Sequence, residues 1–65
     1  MYETLRAKRK ETGTTVKAIR EIIGLKTDPA YFKKEDGSVP FTLNEAFAIS
    51  DYFSLTIEEL FRKTS

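Results

Sequence analysis

Apolar side chains recur along this chain at spacings of three and four, and no stretch sustains the apolar/polar alternation with β-branched residues that marks a strand. Helices are therefore expected throughout. The first should cover about residues 2–12, with Tyr2, Leu5, Arg9 and Thr12 along one side and Gly13 as its stop. A second should start at Thr15, whose hydroxyl can accept from the first free N–H groups, carry Val16, Ile19, Ile22 and Ile23, and end at Gly24, which enters the left-handed conformation at little cost. Thr27-Asp28-Pro29 then opens a short third helix over roughly 28–35, because Pro29 needs no N–H partner in a first turn and Thr27 or Asp28 can cap it. Tyr31 is its expected core residue.

Asp36-Gly37-Ser38 and Pro40 break the pattern into a loop. Thr42-Leu43-Asn44-Glu45 is a capping box, in which a threonine hydroxyl and a glutamate three residues later satisfy each other's backbone N–H groups. The fourth helix follows, with Leu43, Ala46, Phe47, Ile49, Ser50 and Phe53 at core spacing. The box recurs as Thr56-Ile57-Glu58-Glu59 and opens a fifth helix carrying Leu60 and Phe61. Five helices in 65 residues imply one compact all-α domain spanning residues 1–65, with connections too short for a second core or an internal repeat.

Composition narrows the function classes. At 40% hydrophobic and 32% charged, the sequence reads as globular rather than disordered. Cysteine and histidine are both absent, which removes disulfides, thiolate zinc sites, cysteine nucleophiles and imidazole acid–base chemistry. Glu58 and Glu59 are adjacent and point in different directions on a helix, and Glu35-Asp36 lacks the spacing of a calcium loop. No enzyme, metal or cofactor is expected. The charged first ten residues contain no signal-like apolar run, and no segment is long enough for a membrane span, so a cytoplasmic protein is expected.

The net charge of +1 conceals a strong polarity. Residues 1–34 hold nine bases (Arg6, Lys8, Arg9, Lys10, Lys17, Arg20, Lys26, Lys33, Lys34) against four acids, and residues 35–65 hold only Arg62 and Lys63 against six acids. One half of the chain can thus face phosphates while the other avoids them.

The run from Thr15 to Gly37 resembles the helix-turn-helix of the phage lambda/434 repressor and Cro-like family, also called the Xre family. Ile19 and Ile23 stand in its first helix, Gly24-Leu25 in its turn, and Lys33-Lys34-Glu35-Asp36-Gly37 near the family's "E-N-G" ending. The run from Pro40 to Phe61 is similar to the family's fourth and fifth helices nearly position by position, so the resemblance covers essentially the whole chain. The chain differs from the family at Val16, where glutamine commonly clamps the DNA backbone, and at Arg20, where a small residue usually faces the turn. Its segment from Gly24 to Gly37 is also one residue longer than the commonest spacing.

The resemblance implies a small phage or prophage repressor that binds operator DNA as a homodimer, its half-sites about 34 Å apart, with the third helix in the major groove. Mapped onto this chain, Thr27, Asp28, Ala30 and Lys33 become candidates for base edges, Phe32 for apolar contact with DNA, and Lys17, Lys26 and Lys34 for phosphates. The resemblance also implies a structural ion pair between Arg9, late in the first helix, and Glu35, ending the third. Plainer readings stand beside these. A helix lysine is usually a solvated face, Asp28 suits a helix N-terminus whatever the function, and Phe41, Phe47, Phe53 and Phe61 are more often core than stacking platform. Tyr52 or Phe61 could edge a self-association surface. The alternative function is a helical protein-interaction module, antirepressor-like or antitoxin-like, with weak or no specific DNA binding.

Overall fold

The computed structural model describes residues 1–62 and contains five helices and no strand among them. They are α1 (Glu3–Glu11), α2 (Val16–Ile23), α3 (Asp28–Glu35), α4 (Leu43–Phe53) and α5 (Ile57–Leu60). Lys63, counted among the bases above, lies outside the described residues. The helix starts follow local chemistry. Thr15 Oγ1 accepts from Ala18 N–H at 3.1 Å, and Thr27 Oγ1 accepts from Ala30 N–H at 3.3 Å, which makes Thr27 rather than Asp28 the cap of α3. Both capping boxes close reciprocally, Thr42 with Glu45 and Thr56 with Glu59. Gly24 ends α2 at φ 77°, a conformation in which a side chain would be strained.

Each helix gives one wholly buried side chain to a single core: Leu5, Ile19, Tyr31, Ile49 and Leu60. Burying an aliphatic or aromatic side chain of this size stabilises a fold by about 1.5–3 kcal/mol. Tyr2, Val16, Ile23, Leu25, Phe41, Phe53, Leu55 and Phe61 pack around that centre. Tyr2, Phe41 and Phe61 touch one another edge to face, with ring centroids 5.0–5.6 Å apart, and join the chain's start to its loop and its last helix. Helix α2 packs on both α3 and α4, while α5 packs on α1 and α4. The result measures 27 × 23 × 21 Å.

Two apolar residues expected at core spacing are outside the core. Leu43 is 66% exposed and Phe47 52%, because the buried arc of α4 runs through Ala46, Ile49 and Ser50 with Phe53 beside it. Leu43 and Phe47, one turn apart, fall on the flank of that arc. Ile22 is likewise at the exposed edge of α2, whose centre of burial is Ile19. An apolar stripe in a helix is wider than the face that so small a domain can cover. Thr12, placed along one side of the first helix with Leu5 and Arg9, is the exposed C-cap of α1.

Candidate nucleic-acid interface

Helix α3 is anchored by its inner side and by both ends. Tyr31 is fully buried, and its phenol O–H donates to Glu35 Oε2 at 2.6 Å within the same helix. Glu35, only 4% exposed, also accepts from Arg9 Nε at 3.1 Å and Nη2 at 3.2 Å, a two-pronged guanidinium–carboxylate pair joining the last turn of α1 to the last turn of α3. The backbone carbonyl of Glu35 accepts from Tyr2 N–H at 2.9 Å, so the segment entering α1 is tied to the same point. Burial first, and then the bond to Glu35, push the Tyr31 phenol well above its ordinary range. Hydrogen bonding to Glu35 likewise raises the Arg9 guanidinium. Both groups therefore keep their protons at any working pH, and the Arg9–Glu35 pair read from the sequence is present as a structural tie.

The N-terminal end of α3 is held by Arg20. Its Nη1 donates to the Lys26 carbonyl at 2.7 Å, and its Nε lies 2.7 Å from Asp28 Oδ1, a close ion pair whose N–H is not aimed at the carboxylate. One side chain from the last turn of α2 thus closes the turn and reaches the first residue of α3. Asp28, a base-edge candidate, is engaged in this pair, although its side chain stays 56% exposed. The long residue at position 20, where a small one was the family expectation, has a constructive role as a strut across the turn.

Lys34 departs from its expected role at phosphates. Its ammonium donates to Glu45 Oε1, it stands 5.9 Å from the centre of the Phe41 ring, and its side chain is only 12% exposed. It ties α3 to α4. Burial acts to raise the Glu45 carboxyl, but the bonds from Lys34 and from the Thr42 backbone outweigh it, leaving the group below its ordinary 4.5. A carboxyl depressed in the folded state adds stability that is complete above its unfolded value and is lost as pH falls through the folded value. Acid titration followed by circular dichroism should therefore show this share of stability disappearing below about pH 4.5. In Glu45→Gln that share of the acid loss should be missing, and an unaltered acid profile in the variant would contradict it.

The outward side of α3 consists of Pro29, Phe32 and Lys33, which follow the three- and four-residue spacing of one helix face, and all are exposed. Pro29, read from sequence only as a helix starter, is at the middle of that face. Its spacing to Phe32 and Lys33 was the available signal. Ala30 is half-buried at the border, and Thr27 is exposed with its hydroxyl oxygen accepting the capping bond. Phe32 is 44% exposed, its ring edge-to-face with Tyr31 at 5.8 Å and the Arg9 guanidinium carbon 5.8 Å from its centroid.

Among the described residues, Arg6, Lys10, Lys17, Lys26 and Lys33 form no salt bridge, and all five are exposed. All come from the first half of the chain. The bases spent internally are Lys8 on Glu11, Arg9 on Glu35, Arg20 on Asp28, Lys34 on Glu45 and Arg62 on Glu58. No cluster of three or more potential metal ligands occurs among the described residues, and no helix there is long and apolar enough to cross a membrane. Comparison with family models, with curated proteins and with solved structures yields no match.

Proposed function

We propose that this chain is a sequence-specific, DNA-binding transcriptional regulator of the small phage or prophage repressor kind, a lambda-repressor-like helix-turn-helix domain rather than an enzyme. Helix α3 enters the major groove of operator DNA, and α2 braces against the backbone. One observation carries this reading. Helix α3 is tied down at both ends, by Arg20 at the first and by Arg9 and Tyr2 at the second, while its Pro29–Phe32–Lys33 face is left uncovered. A rigid helix presenting an exposed face, with the unpaired Lys17 and Lys26 on the neighbouring α2 and turn, is the arrangement that groove insertion requires.

The test is a salt titration on a duplex selected by the protein from a random-sequence pool. With Lys34 held by Glu45, Lys33, first read as a base-edge candidate, takes the third phosphate beside Lys17 and Lys26, and three such contacts give a slope of about −2.7 in log K against log salt. The selected duplex should bind at least about 1,000-fold more tightly than a scrambled one. A slope near zero, or equal affinity for both duplexes, would overturn the proposal.

A second reading is favoured by a different observation. Leu43 and Phe47 form an exposed apolar pair one turn apart on α4, with Tyr52 also half exposed on that helix. Such a pair suits contact with another protein chain, either a second copy in a DNA-bound homodimer or a different partner. Selection and sedimentation separate the two: two copies of a homodimeric regulator sediment on one selected duplex, whereas an interaction module without DNA function selects no duplex from the pool.

A further inference from the structure

We infer that the exposed face of α3 recognises the C5-methyl group of pyrimidine bases, thymine above all, with Phe32 as the specificity-determining residue and Pro29 beside it. This rests on the DNA-binding reading above and narrows it to a class of base. The inference comes from what α3 has left to offer. Its eight residues, Asp28-Pro29-Ala30-Tyr31-Phe32-Lys33-Lys34-Glu35, include no arginine, asparagine or glutamine, so none grips adenine in two-point fashion and only lysine is left to reach guanine.

Its other polar groups are mostly engaged within the protein. The Asp28 carboxylate lies against Arg20, the Tyr31 hydroxyl is bonded to Glu35, the Lys34 ammonium to Glu45, and Glu35 itself is buried. Lys33 is the one cation of the helix that forms no salt bridge among the described residues. With Lys33 assigned to a phosphate, α3 keeps no side chain free for hydrogen-bond readout of purines, while the middle of its outward face is hydrocarbon. The apolar group that the major groove presents to such a face is the C5-methyl of thymine, in the position where a 5-methylcytosine carries the same group.

Phe32 is also held ready for such a contact. An exposed phenylalanine usually samples several rotamers, but this ring is braced on Tyr31 and stands under the Arg9 guanidinium, which is itself fixed by Glu35. Little side-chain freedom remains to be lost on binding. Burial of one methyl against the ring is equivalent to about a 4-fold gain in affinity per contact, taking the transfer of a single methylene group as the scale.

The experiment uses the wild-type protein and a duplex it selects from a random-sequence pool. Each thymine is replaced in turn by uracil, which removes the C5-methyl and preserves every hydrogen-bonding group. In a second series, each cytosine is replaced by 5-methylcytosine. At one or two thymines, uracil should weaken binding about 3- to 5-fold. In Phe32→Ala the same change should have no effect, and in Phe32→Leu, which keeps an apolar tip, a reduced discrimination should remain. Lys33→Ala serves as contrast, weakening the thymine and uracil duplexes equally.

A gain on methylating a cytosine, with no loss at any uracil, would identify 5-methylcytosine as the source of the recognised group in place of thymine. If the selected duplex binds with a negative salt slope but neither series changes affinity, or if Phe32→Ala and Phe32→Leu keep full discrimination, methyl recognition by Phe32 is overturned while DNA binding survives. If no duplex is selected, both fall together. The base-analogue series needs no variant to fold and decides whether a methyl group is read, and the two Phe32 variants decide whether Phe32 reads it.

Discussion

Glu35→Ala should cost about 3–5 kcal/mol of folding stability, because it leaves the largely buried Arg9 guanidinium without its counter-charge. It also strips the Tyr31 hydroxyl of its acceptor in the core. A domain of this length is expected to have only about 3–10 kcal/mol in total, so the loss takes up much of it. At about 4–8 °C per kcal/mol for a small domain, the melting midpoint should fall by tens of degrees. Glu35→Gln keeps the shape and one acceptor oxygen but loses the charge, and should lie between the two. Since Glu35 is buried at the end of α3 and faces α1, its removal acts on DNA only by loosening the helix. Thermal melts and DNA affinity should therefore fall together, and the affinity loss should grow as the temperature approaches the variant's midpoint. Unchanged melting with lost affinity would refute this role.

The parts of the fold legible from sequence are those fixed by local chemistry. Threonine followed by glutamate three residues later marked the starts of α4 and α5, Thr15 that of α2, and Gly24 the end of α2, because a cap is made by residues within one turn of one another. The end of α4 carried no comparable signal. Ser54 adopts the left-handed conformation there, at φ 57°, which its residue type does not announce. The choice of which apolar residues are buried was also hidden, since Leu43 and Phe47, four apart, fit a helix face as well as Ala46 and Ile49, three apart, and only the placement of α2 and α5 decides between them.

The candidate site shows the same division. The exposure of Phe32 follows from Tyr31 beside it facing inward, a contrast the helical period supplies. The Arg9–Glu35 pair, 26 positions apart, has no local signature and was read through resemblance alone. The partners of Lys34 and Arg20 were not legible, because an ion pair between helices depends on their packing. A lysine bound to Glu45 and one in water have the same sequence signature. The acidic second half, which charge polarity suggested would stay away from phosphates, supplies the carboxylate that withdraws Lys34 from the basic set.

The combined substitution Lys17→Gln, Lys26→Gln and Lys33→Gln should weaken binding to the selected duplex about 500-fold near 0.1 M salt, the product of roughly 8-fold for each lost phosphate contact. The salt slope should become less negative by about 2.7. Because all three lysines are exposed and unpaired among the described residues, melting should change little, by less than about 0.5 kcal/mol for each. Lys34→Ala should behave in the opposite way: it leaves a mostly covered Glu45 without its partner, lowering stability while the salt slope stays as in the wild type. The pairing of these variants separates a cation that meets phosphates from a cation that holds two helices together, although both belong to the basic half of one sequence. A triple variant that binds within about 3-fold of wild type with the original slope would show that these lysines do not contact the backbone. A Lys34→Ala protein that melts normally but loses one phosphate's worth of slope would show that Glu45 releases Lys34 on DNA.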